Sequence, residues 1–323
     1  MSLLITPAYT TGSVPGFAGA TGLLQTIVAY VTGAPGTPGR DWTVEMNRDI
    51  TDNVGNPIVT SPQLKEVILS NTGISGLENI IVAMREYQYP SNSEWGIELN
   101  GHVVVPSGWN ADAAATHNKI GWDADRKHWK DLPHVQAADQ QMDYWIYSTQ
   151  EFIGFCVRVG TSYFQGYLGN GARLGTPSEY PNPLYIAGSE VGNISYQAGG
   201  NGPVRPKDNT YFLVDPNGAF RSGTDCEVLP MQLAPMYTDN TQVDVAPNGA
   251  LVLSPVYVTT SQILAFQLWN TFAVRVMAPQ PENYYDDING LRFRIWPQGK
   301  NDYNYDFMAF YEIDAGYLTS TTV

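Results

Sequence analysis

Apolar residues recur along this chain in short runs separated by turn residues. Residues 42–46 (WTVEM) alternate apolar and polar, the period of a half-buried strand. Residues 65–69 and 79–87 (NIIVAMREY) are rich in β-branched side chains. Between them lie Asn71-Thr72-Gly73 and Ser75-Gly76, a turn cluster. Residues 95–99 and 102–105 read as a hairpin across Asn100-Gly101, because Asn-Gly accepts the positive φ of a type I′ turn. Residues 143–148 and 152–160 (FIGFCVRVG) face each other across Thr149-Gln150-Glu151, and residues 162–168 follow. Residues 211–214 and 219–221 flank Asp215-Pro216-Asn217-Gly218, a strong turn signal. The same Pro-Asn-Gly trio recurs at 247–249, before a strand predicted over 250–253. The last third predicts strands over 256–260, 263–277, 291–296 and 307–313. Residues 291–296 (LRFRIW) alternate apolar and basic, and 307–313 read as their partner across the loop 297–306. The pattern predicts an all-β or β-dominated protein, with one or more β-sandwich or jelly-roll-like domains and long loops.

Two segments depart from that texture. The first 40 residues are small, turn-rich and weakly apolar. Residues 23–31 (LLQTIVAYV) form an apolar island between Gly22 and Gly33, consistent with a short helix or a buried strand. Residues 33–40 (GAPGTPGR) read as a linker. The expectation is an extended N-terminal arm over 1–40, ordered by a neighbouring subunit rather than by its own core. Residues 107–141 are polar and irregular and read as a long excursion from the sheet. The predicted organisation is therefore an arm, a β-rich domain over 41–190 with the excursion inside it, and residues 191–323 as a second β-rich domain or a continuation of the same sandwich.

Charge sharpens the picture. Lys and Arg number 17 and Asp and Glu 31, a formal charge of −14 over 323 residues. That sign argues against a phosphate-gripping nucleic-acid binder and against a polybasic membrane binder. Only 15% of residues are charged, against roughly 25% in ordinary soluble domains. Covering part of the surface with partner subunits is one way such a chain stays soluble. The start lacks a basic stretch followed by an apolar one, which predicts a chain made without a secretion signal. Cys156 and Cys226 offer one bridge at most, and two reduced thiols is the simpler reading.

No catalytic spacing stands out: there is no Gly-x-Ser-x-Gly, Walker loop, His-Glu-x-x-His or Cys-x-x-Cys. Gly166-Tyr-Leu-Gly169-Asn-Gly171 does not have the spacing of a dinucleotide loop. His117, Asp123, Asp125, His128 and His134 supply metal-ligand types within a short span, and the competing reading is a solvated polar loop. Glu94, Glu98, Asp286 and Asp287 are acids that a glycosidase would need, with nothing ordering them into one cleft. Asp302 and Asp306, with Asn301 and Asn304, have a calcium-loop composition without its spacing. The expectation is no enzyme and no cofactor. Aromatic and basic residues in predicted loops read instead as interface anchors: Trp109, Trp122, Arg126, Lys127, Trp129, Lys130, Tyr284 and Tyr285. Sugar stacking on the loop aromatics is the alternative use.

Residues 176–189 (TPSEYPNPLYIAGS) resemble a segment of structural proteins of tailed bacteriophages. Residues 163–169 (YFQGYLG) and 76–87 (GLENIIVAMREY) fit the same context, so the resemblance spans about residues 64–190. It implies a virion structural protein of the tail, baseplate or neck, assembled in the host cytoplasm. Its partners would be copies of itself and neighbouring virion proteins, with a carbohydrate- or receptor-binding module as the alternative. The resembling motif is structural and brings no catalytic residues with it.

Overall fold

The computed structural model describes residues 4–16, 21–49, 64–89, 94–102, 131–135, 140–160, 162–176, 183–188, 211–214, 220–221, 226–229, 253–260, 263–275, 282, 284–286, 291–297 and 306–312. These are dominated by strands, the class read from the alternation. In chain order they are β1 (Ala8–Val14), α1 (Leu23–Val31), β2 (Thr43–Asp49), β3 (Lys65–Asn71), β4 (Ile80–Tyr89), β5 (Glu94–His102), β6 (Asp131–Val135), β7 (Met142–Ser148), β8 (Phe152–Val159) and β9 (Ser162–Asn170). There follow β10 (Ala172–Arg173), β11 (Leu184–Gly188), β12 (Tyr211–Val214), β13 (Phe220–Arg221), β14 (Cys226–Leu229), β15 (Ser254–Thr260), β16 (Ile263–Arg275), β17 (Tyr284–Asp286), β18 (Arg292–Pro297) and β19 (Asp306–Tyr311).

Three antiparallel sheets result. A central sheet runs β1-β7-β8-β9-β11-β12-β13. A second runs β2-β3-β4-β5-β6, and a C-terminal sheet runs β14-β15-β16-β19-β18-β17, with β10 also paired to β16. Because β12 and β13 extend the central sheet, residues beyond 190 continue the structure begun before it.

The middle strands of the central sheet, β7, β8, β9 and β11, are buried on both faces, and their alternation sorts side chains by type. One face carries Met142, Ile146, Ile153, Phe155, Val157, Leu168, Leu184 and Ile186, which pack with α1 and with Val67, Leu69, Val82, Met84 and Leu99 of the second sheet. The other carries Trp145, Tyr147, Phe152, Cys156, Tyr167 and Tyr185, which pack with Val256, Val258, Phe266, Leu268, Trp296 and Phe310 of the C-terminal sheet. Successive strand residues point to opposite faces, so residues 152–157 must be apolar throughout. The aliphatic face fits a helix and a pleated sheet. The aromatic face stacks across the layer: Phe152 lies 4.8 Å from Tyr167, and Tyr147 lies 4.7 Å from Phe310. Cys156 is a free thiol buried there, and burial pushes its pKa well up, so it is held as an unreactive thiol.

The N-terminal expectation is corrected. Residues 23–31 are helical and bury Leu23, Leu24, Ile27, Val28 and Val31 in the aliphatic core, leaving Ala29 exposed. That stripe, at positions i, i+1, i+4, i+5 and i+8, has the helical period. Arg40 terminates the helix by donating from Nε to the Tyr30 carbonyl at 3.1 Å. β1 has no apolar stripe, but an edge strand is held by its ladder. Ala8 to Val14 pair with Ser148 to Met142, and Ile5 is bracketed by the Asn270 amide, which accepts from Ile5 N at 2.8 Å and donates to Ile5 O at 2.5 Å. The first 40 residues thus include an edge strand and a core helix of the chain's own fold.

Two further sequence expectations change. Asn100-Gly101 is not a turn, because β5 runs through it and pairs with β4 from Tyr89↔Glu94 to Ile81↔His102. Its glycine serves close packing instead: a Cβ at Gly101 would lie 2.8 Å from Leu184 Cδ2 and 3.1 Å from Ile186 Cγ1 of the central sheet. Asn100 is buried, and its Oδ1 accepts from Gly101 N at 2.8 Å. The 107–141 excursion is also not wholly outside the sheet, since β6 pairs with β5 within it. The turn trio at 247–249 lies outside the described residues.

Glu86 follows Val82 and Met84 on the core-facing side of β4 and is fully buried. Its Oε2 accepts from Lys65 N at 2.8 Å, but burial dominates and pushes its pKa from 4.5 up to about 8.

This packing has two measurable consequences. Gly101→Val should lose about 1–3 kcal/mol in urea unfolding through overpacking, whereas a turn glycine at an exposed site would lose far less to added bulk. Between pH 4.5 and 8 the native Glu86 holds a proton that the unfolded chain has released, so stability falls as pH rises through that window. The unfolding free energy from urea titrations should therefore drop more between pH 5 and pH 9 in the wild type than in Glu86→Gln, by on the order of a few kcal/mol.

Candidate interaction face

Of the eight predicted anchors, Trp109, Trp122, Arg126, Lys127, Trp129 and Lys130 lie outside the described residues. So do the ligand candidates His117, Asp123, Asp125 and His128, while His134 is placed in β6. Tyr284 and Tyr285 are not in a loop: they form β17, paired as Tyr284↔Arg294 and Tyr285↔Phe293. Aromatic residues favour a strand once a partner strand is available. Asp286 is the third residue of β17, and Glu94 and Glu98 lie on β5, in a different sheet. Among the described residues no group of three His, Cys, Asp or Glu side chains is placed to hold a metal ion. No helix among them is long and apolar enough to cross a membrane.

The structure assembles polar clusters that spacing did not reveal. Arg294 lies in the layer between the central and C-terminal sheets. It donates from Nε and Nη2 to the two Glu312 oxygens at 2.9 and 3.0 Å, and Tyr147 OH donates to Glu312 at 3.1 Å. Arg158 is more open. It donates to Asp143 from Nε at 3.1 Å and from Nη2 at 2.5 Å, and also to Glu282, which accepts from Tyr163 OH at 2.7 Å. The Ser13 hydroxyl and then Arg158 hold Asp143 below the usual carboxylate range, while burial and then Glu282 push the Tyr163 hydroxyl up to about 12. In both clusters the carboxylates are committed to guanidinium and hydroxyl donors. Both clusters read as ties between sheets.

A third cluster lies where turns from all three sheets meet. The β3–β4 turn, the β7–β8 turn, the β9–β10 segment and the start of β16 converge there. Arg173 forks onto Glu78, with Nη1 donating to Oε1 at 2.5 Å and Nη2 to Oε2 at 2.7 Å. Asn170 Nδ2 donates to Glu78 Oε2 at 3.5 Å. Glu151 accepts from Ile74 N at 2.8 Å, and burial raises its pKa against that hydrogen bond. Trp42 Nε1 donates to the Thr149 carbonyl at 2.9 Å, and Asp41 accepts from Gln150 Nε2 at 3.1 Å and from Asn71 Nδ2 at 3.5 Å. Gly169, at φ +144°, lets β9 close against β8, since a Cβ there would lie 2.3 Å from the Glu151 carbonyl oxygen.

This lacework holds apolar side chains in water. The exposed large aliphatic residues among those described are Val44, Ile74, Leu77, Leu174 and Leu264, and four of the five belong to this end. Ile74 and Leu77 are in the β3–β4 turn, Leu77 being 90% exposed. The Glu78–Arg173 fork joins the residue after Leu77 to the residue before Leu174. Leu174 N donates to the carbonyl of Ala265, next to Leu264. A single exposed leucine is ordinary, whereas exposed aliphatic residues on hydrogen-bonded turns make this end a candidate contact surface. The sequence signal was present in the turn itself, where Ile74 and Leu77 sit among Gly and Ser, yet their neighbours lie far along the chain.

No protein-family model matches the chain, and no curated protein matches it.

The fork and the leucine separate in a mutant pair. Glu78→Ala should cost about 1.5–3 kcal/mol, the range for hydrogen bonds to charged groups. Leu77→Ala should change stability by less than about 0.5 kcal/mol, as at other exposed sites. Chemical denaturation of the two variants beside the wild type checks both.

Proposed function

We propose that this chain is a structural protein that works by assembly, as a component of a tailed-phage virion in the tail, baseplate or neck. It forms ordered homo-oligomers and docks to neighbouring virion proteins, and in this reading it performs no catalysis. The observation that carries the assembly reading is the end face, where Ile74, Leu77 and Leu174 are exposed on segments tied by the Glu78–Arg173 fork and by Glu151, with Leu264 exposed at the start of β16. A face that exposes apolar surface at a cost in solubility, on loops stiffened by buried hydrogen bonds, suits a fixed protein contact. The low proportion of charged residues agrees with a surface partly covered by partners. The virion setting comes from the resemblance of residues 176–189 and of the strands before them to tailed-phage structural proteins. Of these, residues 163–169 belong to β9 and residues 184–188 form β11, neighbours in the central sheet.

The purified chain should sediment as discrete oligomers at micromolar concentration, and mass spectrometry of intact phage particles should find it at stoichiometric copy number. A chain that stays monomeric throughout and is retained on glycan beads would replace assembly with carbohydrate binding.

A further inference from the structure

The edges of the three sheets are not equally protected against pairing with another strand. An edge strand presents main-chain N–H and C=O groups to any extended backbone, and proteins blunt it with charge, proline, bulges or short length. Among the described residues the outermost strands are β1 and β13, β2 and β6, and β14 and β17, with the two-residue β10 beside β16. β13 has two residues, β17 three and β14 four. β6 carries Pro133 in its middle. β2 is as long as β1 but carries Glu45, Arg48 and Asp49, and a bulge interrupts its ladder between Val44 and Met46. β1 has none of these devices. Its sequence, AYTTGSV, holds no charge and no proline, and its ladder with β7 runs unbroken from Ala8↔Ser148 to Val14↔Met142. Thr11 and Ser13 on it are exposed.

Resting on the assembly reading above, we infer that β1 is a strand-pairing site for a second copy of itself. β1 of one copy pairs antiparallel with β1 of another across a two-fold axis, and the central sheets of the two copies become one. The hydrogen-bonding groups of an edge select an extended backbone as the partner. Among the described edges of this chain, only another β1 is long, uncharged and regular enough to supply it. Charge selects the same partner. Two chains of −14 repel overall, and a strand without charge adds no like-charge pair where it meets its copy. The register follows from the flanks. Pro7 and Pro15 stand just outside the strand, and a proline supplies no N–H to a ladder, so the pairing is confined to Ala8–Val14. Full antiparallel overlap of that strand sets Thr11 opposite Thr11, a favourable cross-strand pair. Pairing over about 24 Å makes a contact mostly of main-chain hydrogen bonds. It is weak alone and acts together with other contacts of the assembly.

Sedimentation velocity of the full chain tests this with two charge variants at the two-fold position. Thr11→Lys and Thr11→Glu each place like charges opposite one another, and each should associate about fivefold more weakly than wild type. An equal mixture of the two variants should recover wild-type association, because Lys then faces Glu. Thr11 is exposed, so the melting temperatures of both variants should stay close to wild type. Unchanged association in the single variants would overturn the inference and leave the assembly reading standing. A mixture no tighter than its components would equally overturn it, since β1 would then pair with some other strand. A wild type that is monomeric at every concentration used would remove the assembly reading, and this inference with it.

Discussion

Among the described residues one demand organises the fold: the middle strands of the central sheet have no solvent face. β7, β8, β9 and β11 must each supply two apolar sides, and the two sides meet different partners. The aliphatic side receives a helix and a second sheet. Branched side chains and a glycine let the backbones come close there, as where Gly101 meets Leu184 and Ile186. The aromatic side receives a sheet through stacked rings. A strand of a doubly buried sheet cannot slip by one residue in its pairing without exchanging these two sets of side chains. The double burial therefore specifies the register as well as supplying the stability.

Burying two faces also traps polar groups, and two buried or half-buried arginines are met in place by carboxylates. Arg294 enters the aromatic layer on a strand that reads apolar–basic, and Glu312 meets it with both oxygens while Tyr147 donates to the same carboxylate. Such a pair is weak evidence for stability, because desolvation offsets the attraction. It fixes one geometry between β18, β19 and β7. The Arg158 cluster does the same between β7, β8, β9 and the Glu282 segment, at the rim where water helps solvate the charges. Glu86 is met by less, since a single amide does not offset its burial and the proton stays on through the neutral range. Both the ties and this buried acid are consequences of enclosing the central sheet.

The end face belongs to the same logic. Strands buried on both sides must turn at their ends, and the turns of three layers arrive together. Their backbone groups and short polar side chains are joined by Asp41, Glu78, Glu151, Asn170 and Arg173 into one scaffold. Loops bound in this way lose little entropy on docking, which is the main cost of building an interface on loops. That is why a handful of leucines on these particular turns carries more weight than the same residues on an untethered hairpin.

Much of the fold was legible in the sequence. Residues 65–69, 79–87, 143–148, 152–160, 256–260 and 291–296 announce strands because β-branched and aromatic residues at short spacing between turn residues have few other uses. The hairpin through Thr149–Glu151 and the pairing of 291–296 with 307–313 follow from adjacency. The class is local information, and the chain holds it in every window. What the windows could not hold was the partner of each face. Asn100-Gly101 has the composition of a turn, and only Leu184 and Ile186, far along the chain, make it a close-packed strand. Residues 8–14 lack an apolar face, and only the open edge of β7 makes them a strand. Leu23–Val31 is a helix whose buried stripe packs in the aliphatic core beside the central sheet. The end face was the least legible feature, since Leu77 and Leu174 are ordinary leucines until the Glu78–Arg173 fork sets their neighbours side by side. Composition and period determine which segments are strands. Long-range burial decides which strands share a face, and therefore which charges are trapped and which leucines are left in water.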